Sequence, residues 1–265
     1  METNTKFINI YTNLVRMKYK TYWFNKIINV GDLITPYLLD NLFKVDYEWI
    51  DANSKHAKYL STGSIIGRAD SNTIVWGSGS ISGNLNLRHK NPKILAVRGP
   101  LTRDLLLKNK ISCPEIYGDP GLLLPKVYSP NIEKKYKIGV VPHYVDKDTE
   151  FINYCRHNPN IKVINVKDKS VENFVDQILE CETIMSSSLH GLVIADAYKV
   201  PSVWIELSKN VIGNGFKFRD YYASINRTFN VARVPTRESF NEIVSDINTD
   251  FNINLAKLLK TSPFK

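Results

Sequence analysis

The chain has 265 residues, 43% of them apolar and 23% charged, with a formal charge of +9 and an isoelectric point near 9.3. Its length suits one large α/β domain or two small ones, no run is apolar enough to cross a bilayer, and Glu2, Asn4 and Lys6 interrupt any signal-peptide core, so a cytoplasmic location is expected. Three scattered cysteines, Cys113, Cys155 and Cys181, exclude a disulfide framework, and no cysteine or histidine has the partners of a zinc site, so neither metal nor cofactor is expected.

In chain order, the first predicted strand is Phe7–Tyr11. A basic and aromatic stretch follows, with Arg16, Lys18, Lys20 and Lys26 interleaved with Tyr19, Tyr22, Trp23 and Phe24. Such a stretch either rests on a membrane interface or packs its rings while its lysines face water, the more frequent outcome. Thr35 with Pro36 in the first turn predicts a helix carrying Leu38, Leu39, Leu42 and Phe43 on one face. Strands are predicted at Thr73–Trp76 and Lys93–Val97, and Pro100 opens another helix. From Pro120 to Lys137 the periodicity lapses into proline and charge, which predicts a linker. Strands resume at Lys137–Val141, Lys162–Asn165, Thr183–Met185 and Ser202–Ile205, with a strongly amphipathic helix capped by Ser170 between them. Two helical stretches between Arg237 and Lys260, including Phe240, Ile243, Val244 and Ile247, close the chain.

Strands alternating with helices predict parallel sheets covered by helices, arranged as two similar halves. The expected division is an N-terminal domain over residues 1–130, a C-terminal domain over 131–235, and helices over 236–265 packing back across both. Ligands in such sheets bind beyond the carboxyl ends of strands, in the cleft between halves.

Several polar signals fall at those strand ends. They are Asn29-Val30-Gly31-Asp32, Gly77-Ser78-Gly79-Ser80, Arg98-Gly99-Pro100, Gly118-Asp119-Pro120-Gly121 and Ser186-Ser187-Ser188-Leu189-His190-Gly191. Each alone is a plausible turn or helix cap. Together they place glycines where a ligand can approach the backbone, an arginine fork for a carboxylate or phosphate, and a hydroxyl-rich helix start with exposed N–H groups suited to anions. The positive charge also favours anionic partners, but the basic residues are dispersed and no nucleic-acid-binding pattern occurs, so nucleic acid is not expected.

The ordered set NVGD, GSGS, AVRGP, YGDPGLLLP and SSSLHGLVIADAYKVPSVWIE, followed by KFRDYYAS, resembles the polysaccharide pyruvyltransferase family from Asn29 to Ser224. The resemblance implies a glycosyltransferase B-like pair of Rossmann-type domains. It also implies transfer of an enolpyruvyl-derived group from phosphoenolpyruvate to a sugar, for which galactose is the first guess, on a lipid-linked surface-polysaccharide precursor, giving a pyruvate ketal and phosphate. A peripheral contact with an acidic membrane face would follow. Arg98 matches the family's arginine before Gly-Pro and is expected to grip the donor, with an interdomain salt bridge as its rival role. His190 matches the Leu-His histidine and is expected as general acid, gaining its proton mainly with donor bound. Ser188 stands where many members have an arginine, so Lys217, or more weakly His143 or Lys26, is expected to replace that charge. Ser186, Ser187, Ser188 and Leu189 would cradle the donor phosphate. Asp32 is expected as the base or, alternatively, as a helix cap, with Asn29, Gly31, Ser78, Gly79 and Ser80 on the acceptor side. Asp119 reads as a structural brace. A nucleotide-sugar-dependent glycosyltransferase of the same architecture, or a non-catalytic scaffold, remains an alternative.

Overall fold

A computed structural model describes residues 18–87, 90–227, 232–236, 239, 242–243 and 254–265. The predicted strand Phe7–Tyr11, Arg16, and Phe240, Val244 and Ile247 of the predicted C-terminal helices lie outside the described residues.

The chain forms an α/β fold with two parallel sheets. The N-terminal sheet contains β1 (Tyr19–Tyr22), β2 (Tyr47–Trp49), β3 (Lys58–Leu60), β4 (Thr73–Trp76) and β5 (Lys93–Ala96) in the order β2-β1-β3-β4-β5. The C-terminal sheet contains β6 (Tyr136–Val141), β7 (Ile161–Val163), β8 (Cys181–Ser186) and β9 (Ser202–Trp204) in the order β7-β6-β8-β9. Both sheets therefore reverse direction beside their first strand, between β1 and β3 and between β6 and β8. In parallel sheets such reversals leave a crevice beyond the strand ends.

The basic and aromatic stretch is the strand β1. Tyr22 is buried against Trp49, and Trp23 meets Tyr47 edge-on at 6.0 Å, so the rings serve the sheet. The helix α1 (Val30–Leu38) begins six residues before the position predicted with Thr35 as its cap. Asn29 is its cap, its side chain accepting the Gly31 N–H at 3.0 Å, while Thr35 and Pro36 lie inside the helix. This early start places Asp32 in the first turn rather than at the cap. Val30, Ile34 and Leu38 share a core with Leu123, Leu124, Phe174 and Ile178, and Val30 N–H donates to the Val166 carbonyl at 2.8 Å.

The predicted linker is partly core. Pro120–Lys126 forms a 3-10 helix whose Leu122, Leu123 and Leu124 are buried beside α1 and α5 (Leu189–Ala197). Three consecutive leucines on so tight a helix have no 3.6-residue period, which hid them. The remaining helices are α2 (Pro100–Lys108), α3 (Glu150–Arg156), α4 (Val171–Leu179, capped by Ser170), α6 (Phe216–Ser224) and α7 (Leu255–Lys260). After α7 the chain packs on the N-terminal sheet. Trp76 Nε1 donates to the Leu258 carbonyl at 2.9 Å, and Phe264 sits among Tyr19, Phe43, Tyr59 and Trp76. The three cysteines are free and buried, and burial pushes each thiol up to about 12.

Candidate active site

A cavity of about 520 Å³ lies where the carboxyl ends of the two sheets meet. Phe24, Ile27 and Asn29 come from the segment after β1, Gly63, Ser64 and Ile65 from that after β3, His143 and Tyr144 from that after β6, and Ser188, Leu189 and His190 from that after β8. These are the four strands flanking the two reversals. Ser80 and Ile81 after β4, and Ile212 and Lys217 around the start of α6, complete the mouth. A larger groove of about 770 Å³ runs past β7 and α4, but Lys135 and Lys162 on its wall are both bonded to Glu180.

The first turns of α1, α5 and α6 all reach the cavity, through Asp32, through Leu189 and His190, and through Lys217. Helix N-termini carry partial positive charge, so three of them around one space favour an anion. Lys217 is 9% exposed, with its Nζ 5.4 Å from the centre of the Phe218 ring. Burial, reinforced by the Arg98 guanidinium, lowers its ammonium to about 8. At neutral pH it remains largely charged. Burial also raises the Asp32 carboxyl to about 7, against the opposing pull of His190 and Lys217. Asp32 therefore exchanges its proton near neutrality. Burial and the Lys217 charge lower His143 to about 4, so its ring is neutral at pH 7.

His190 is packed against α1 so closely that a Cβ on Gly31 would lie 1.9 Å from its Nδ1. Its Nε2 stands 3.6 Å from Asp119 Oδ2. Asp119, absent from the expected catalytic set, caps the 3-10 helix by accepting the Gly121 N–H at 2.9 Å. Its placement depends on Gly118 and Gly77, both at positive φ, and a Cβ on Gly77 would meet Pro120 at 2.4 Å. The legible signal was the glycine on either side of Asp119-Pro120, which marks a close approach of chain segments.

Other expected residues lie one layer behind. Arg98 does not line the cavity; it is fully buried. Its Nε donates to Asp220 Oδ2 at 3.0 Å, Nη1 to Ser64 Oγ at 2.6 Å and Nη2 to the Ser80 carbonyl at 2.6 Å. All three guanidinium nitrogens are engaged within the protein, and the pair with Asp220 is a salt bridge of the kind expected as its rival role. Asp220 also accepts the Thr102 N–H and hydroxyl at 2.8 and 2.7 Å, tying α6 to the start of α2.

Ser186 and Ser187 likewise brace the wall and do not line it. Ser186 Oγ accepts the Ser188 N–H at 3.0 Å and lies within bonding reach of the Val141 and Ser188 carbonyls. Ser187 Oγ accepts the His143 N–H at 2.9 Å and donates to Asp146 at 2.7 Å. Ser188 and Leu189 do reach the cavity. Ser78 donates to the Gly63 carbonyl at 2.9 Å, and Gly79 leaves room for Arg98, whose Cζ would lie 2.4 Å from a Cβ there. Lys26 is exposed on the segment after β1 and does not line the cavity.

Two parallel sheets whose carboxyl ends share one cavity, with three helix starts around it, define an α/β protein with a cleft suited to a charged small molecule. Residues 8–209 match the family model for polysaccharide pyruvyl transferases, and the chain belongs to that family. It is 28% identical over 210 residues to the uncharacterized protein L143 of Acanthamoeba polyphaga mimivirus, a match spanning 76% of this chain and 72% of that one. It is 27% identical over 229 residues to the succinoglycan biosynthesis protein ExoV of Rhizobium meliloti, spanning 81% of this chain and 67% of that one. A solved structure of a functionally uncharacterized Klebsiella pneumoniae protein aligns over 83% of this chain and 94% of its own, with 14% identity and a TM-score of 0.49.

Proposed function

We propose that this chain transfers the pyruvyl group of phosphoenolpyruvate to two hydroxyls of a sugar on a lipid-linked polysaccharide precursor, forming a ketal and releasing phosphate. The observation that supports this reading is the convergence of three helix N-termini, Lys217, His190 and Asp32 on one cavity. The donor is a phosphate and a carboxylate on one small frame, and it needs donors on two sides. Lys217 with the start of α5 supplies one set; the start of α6 supplies the other.

The proton count fixes the remaining roles. The donor's methylene carbon gains one proton to become methyl, and the two acceptor hydroxyls lose one each as two C–O bonds form. One hydroxyl proton is balanced by the methyl group and the other leaves with phosphate. His190 delivers the proton to the methylene carbon, and Asp32 removes the hydroxyl protons. A carboxyl that titrates near 7 can take up a proton and give it back within each turnover.

The acceptor lies along the N-terminal loops, where Tyr22, Phe24 and Ile65 offer an apolar wall for a sugar face. The family and the printed role of ExoV in succinoglycan biosynthesis favour a polysaccharide precursor as acceptor. A galactose-terminated glycolipid is the first to test, at the inner face of the cell membrane, with no cofactor added. The experiment follows phosphate release from phosphoenolpyruvate on adding candidate glycolipids, with mass spectrometry of the product. Gain of a pyruvyl group supports the assignment. Gain of a hexose from a nucleotide sugar overturns it in favour of a glycosyltransferase.

A further inference from the structure

We infer that Asp119 orients His190, holding a proton on Nε2 so that Nδ1 is left to take up the proton that it then passes to the methylene carbon; this rests on His190 working in the site proposed above. Asp119 is fully buried and uses only Oδ1 in capping, by accepting the Gly121 N–H. Its second oxygen, Oδ2, and the Nε2 of His190 are both buried, and neither has a hydrogen-bond partner. They face each other at 3.6 Å. Among the described residues these two atoms are each other's answer: one is an acceptor without a donor, the other a nitrogen able to carry one.

The separation is longer than a hydrogen bond, so the contact is an ion-pair distance that a small rotation of the ring closes. A brace needed only for the turn would be complete with Oδ1. The second oxygen, sealed from water against an imidazole, has a use only if that imidazole presents N–H to it. A carboxylate accepts and never donates, so it selects the Nε2–H form of the neutral ring. The ring edge that carries Nδ1 lies over Gly31, where any side chain would strike it, and the ring as a whole lines the cavity. Asp32 and Lys217 also face His190, but neither reaches Nε2. Asp119 is thus a positioning residue: it touches the histidine and not the substrate.

The test uses the full chain labelled with nitrogen-15 in its five histidines. Long-range nitrogen–proton spectra distinguish the two neutral tautomers, and the His190 signals are those missing from His190→Gln. The wild-type ring is expected as Nε2–H. In Asp119→Asn the amide oxygen keeps the Gly121 N–H, which turns the NH₂ toward Nε2 and forces the ring to Nδ1–H. With that reversal kcat falls by about 10²–10⁴-fold with little change in KM for phosphoenolpyruvate. A wild-type ring in the Nδ1–H form overturns the inference, and this holds even if the variant fails to fold. An unchanged tautomer in a folded Asp119→Asn protein overturns it equally. The spectra need no substrate, so a reversed tautomer without any pyruvyl transfer would overturn the proposed reaction and leave the orienting role standing.

Discussion

Asp32 shows at the scale of one residue how a fold assigns chemistry. A carboxylate in the first turn of a helix is ordinarily favoured by the helix dipole. Here burial outweighs that gain and lifts the group from its ordinary 3.8 to about 7. A carboxyl raised in the folded state contributes most at low pH, where both states hold the proton. Its contribution falls between pH 4 and 7, as the unfolded chain releases a proton that the folded chain retains. Relative to Asp32→Asn, the wild type is expected to lose roughly 4 kcal/mol of stability across that window, the pull of His190 and Lys217 being already contained in the net rise. Urea unfolding of both proteins at pH 5 and pH 8 checks the sign: the gap must favour the variant more at pH 8. The same variant should lose about 10²–10⁴-fold in turnover as a missing base. Asp32 and His190 were legible because they sit in short polar motifs at predicted strand ends, where ligands bind, and Lys217 because a charge was sought in place of the arginine absent at Ser188. Ser186, Ser187 and Arg98 sit in the same kind of motif, yet they face the backbone and Asp220. Sequence tells that a polar side chain is at a strand end, but its direction depends on the neighbouring segment.

At the scale of elements, α6 decides whether Lys217 reaches the cavity, and α6 is held by a buried ion pair. Arg98 and Asp220 are both fully buried, and a Cβ on Gly99 would strike the Asp220 carbonyl at 1.9 Å. On the other side Trp204 stacks on Phe218 at 4.6 Å and 10°, and the Tyr222 hydroxyl accepts the Trp204 N–H at 3.0 Å. Removing one partner of such a pair leaves an uncompensated charge, so Arg98→Gln and Asp220→Asn should each cost about 3–5 kcal/mol. Both should also weaken phosphoenolpyruvate binding by displacing Lys217. If Arg98 were instead a donor ligand, Arg98→Gln would weaken binding at unchanged stability, and Asp220→Asn would do neither; unfolding curves paired with donor KM separate the two. Element existence was legible where the period was long, as in α4, whose apolar face and Ser170 cap are as predicted. All six strands predicted from Thr73 onward are present, with ends shifted by at most two residues. β2 and β3, three residues each, are too short to show alternation, and β1 hid behind its lysines. The start of α1 was misplaced because Pro36 reads as a first-turn residue, whereas Asn29 supplies the cap.

At the scale of the whole molecule, the facing reversals of two sheets put one mouth on one side of the protein, and the exposed apolar residues gather there. Of the six large hydrophobic side chains exposed among the described residues, Ile28, Ile81, Val145 and Ile212 lie on loops that line this mouth or adjoin its lining residues. Ile212 is 68% exposed. Single exposed hydrophobics need no explanation, but four on separate loops around one opening form a patch. Exposed Lys26, Lys147 and Lys209 lie on the same loops and exposed Arg68 lines the cavity from the connection after β3, outnumbering Asp148 and the half-buried Glu206, within a chain of charge +9. No helix among the described residues is long and apolar enough to cross a membrane. An apolar ring flanked by cations suits an anionic bilayer surface, and it would bring the cavity to a sugar carried on lipid. Full-length protein should therefore sediment with vesicles containing phosphatidylglycerol and less with vesicles of phosphatidylcholine alone, the difference shrinking as salt rises. Burying one isoleucine is worth about 1.5–3 kcal/mol, so Ile81→Ser with Ile212→Ser should weaken sedimentation at least about tenfold. Turnover on a short, water-soluble acceptor reads separately what the two side chains contribute to the cavity they line. Equal sedimentation of wild type and variant would place the membrane contact elsewhere and leave the rim to the acceptor itself.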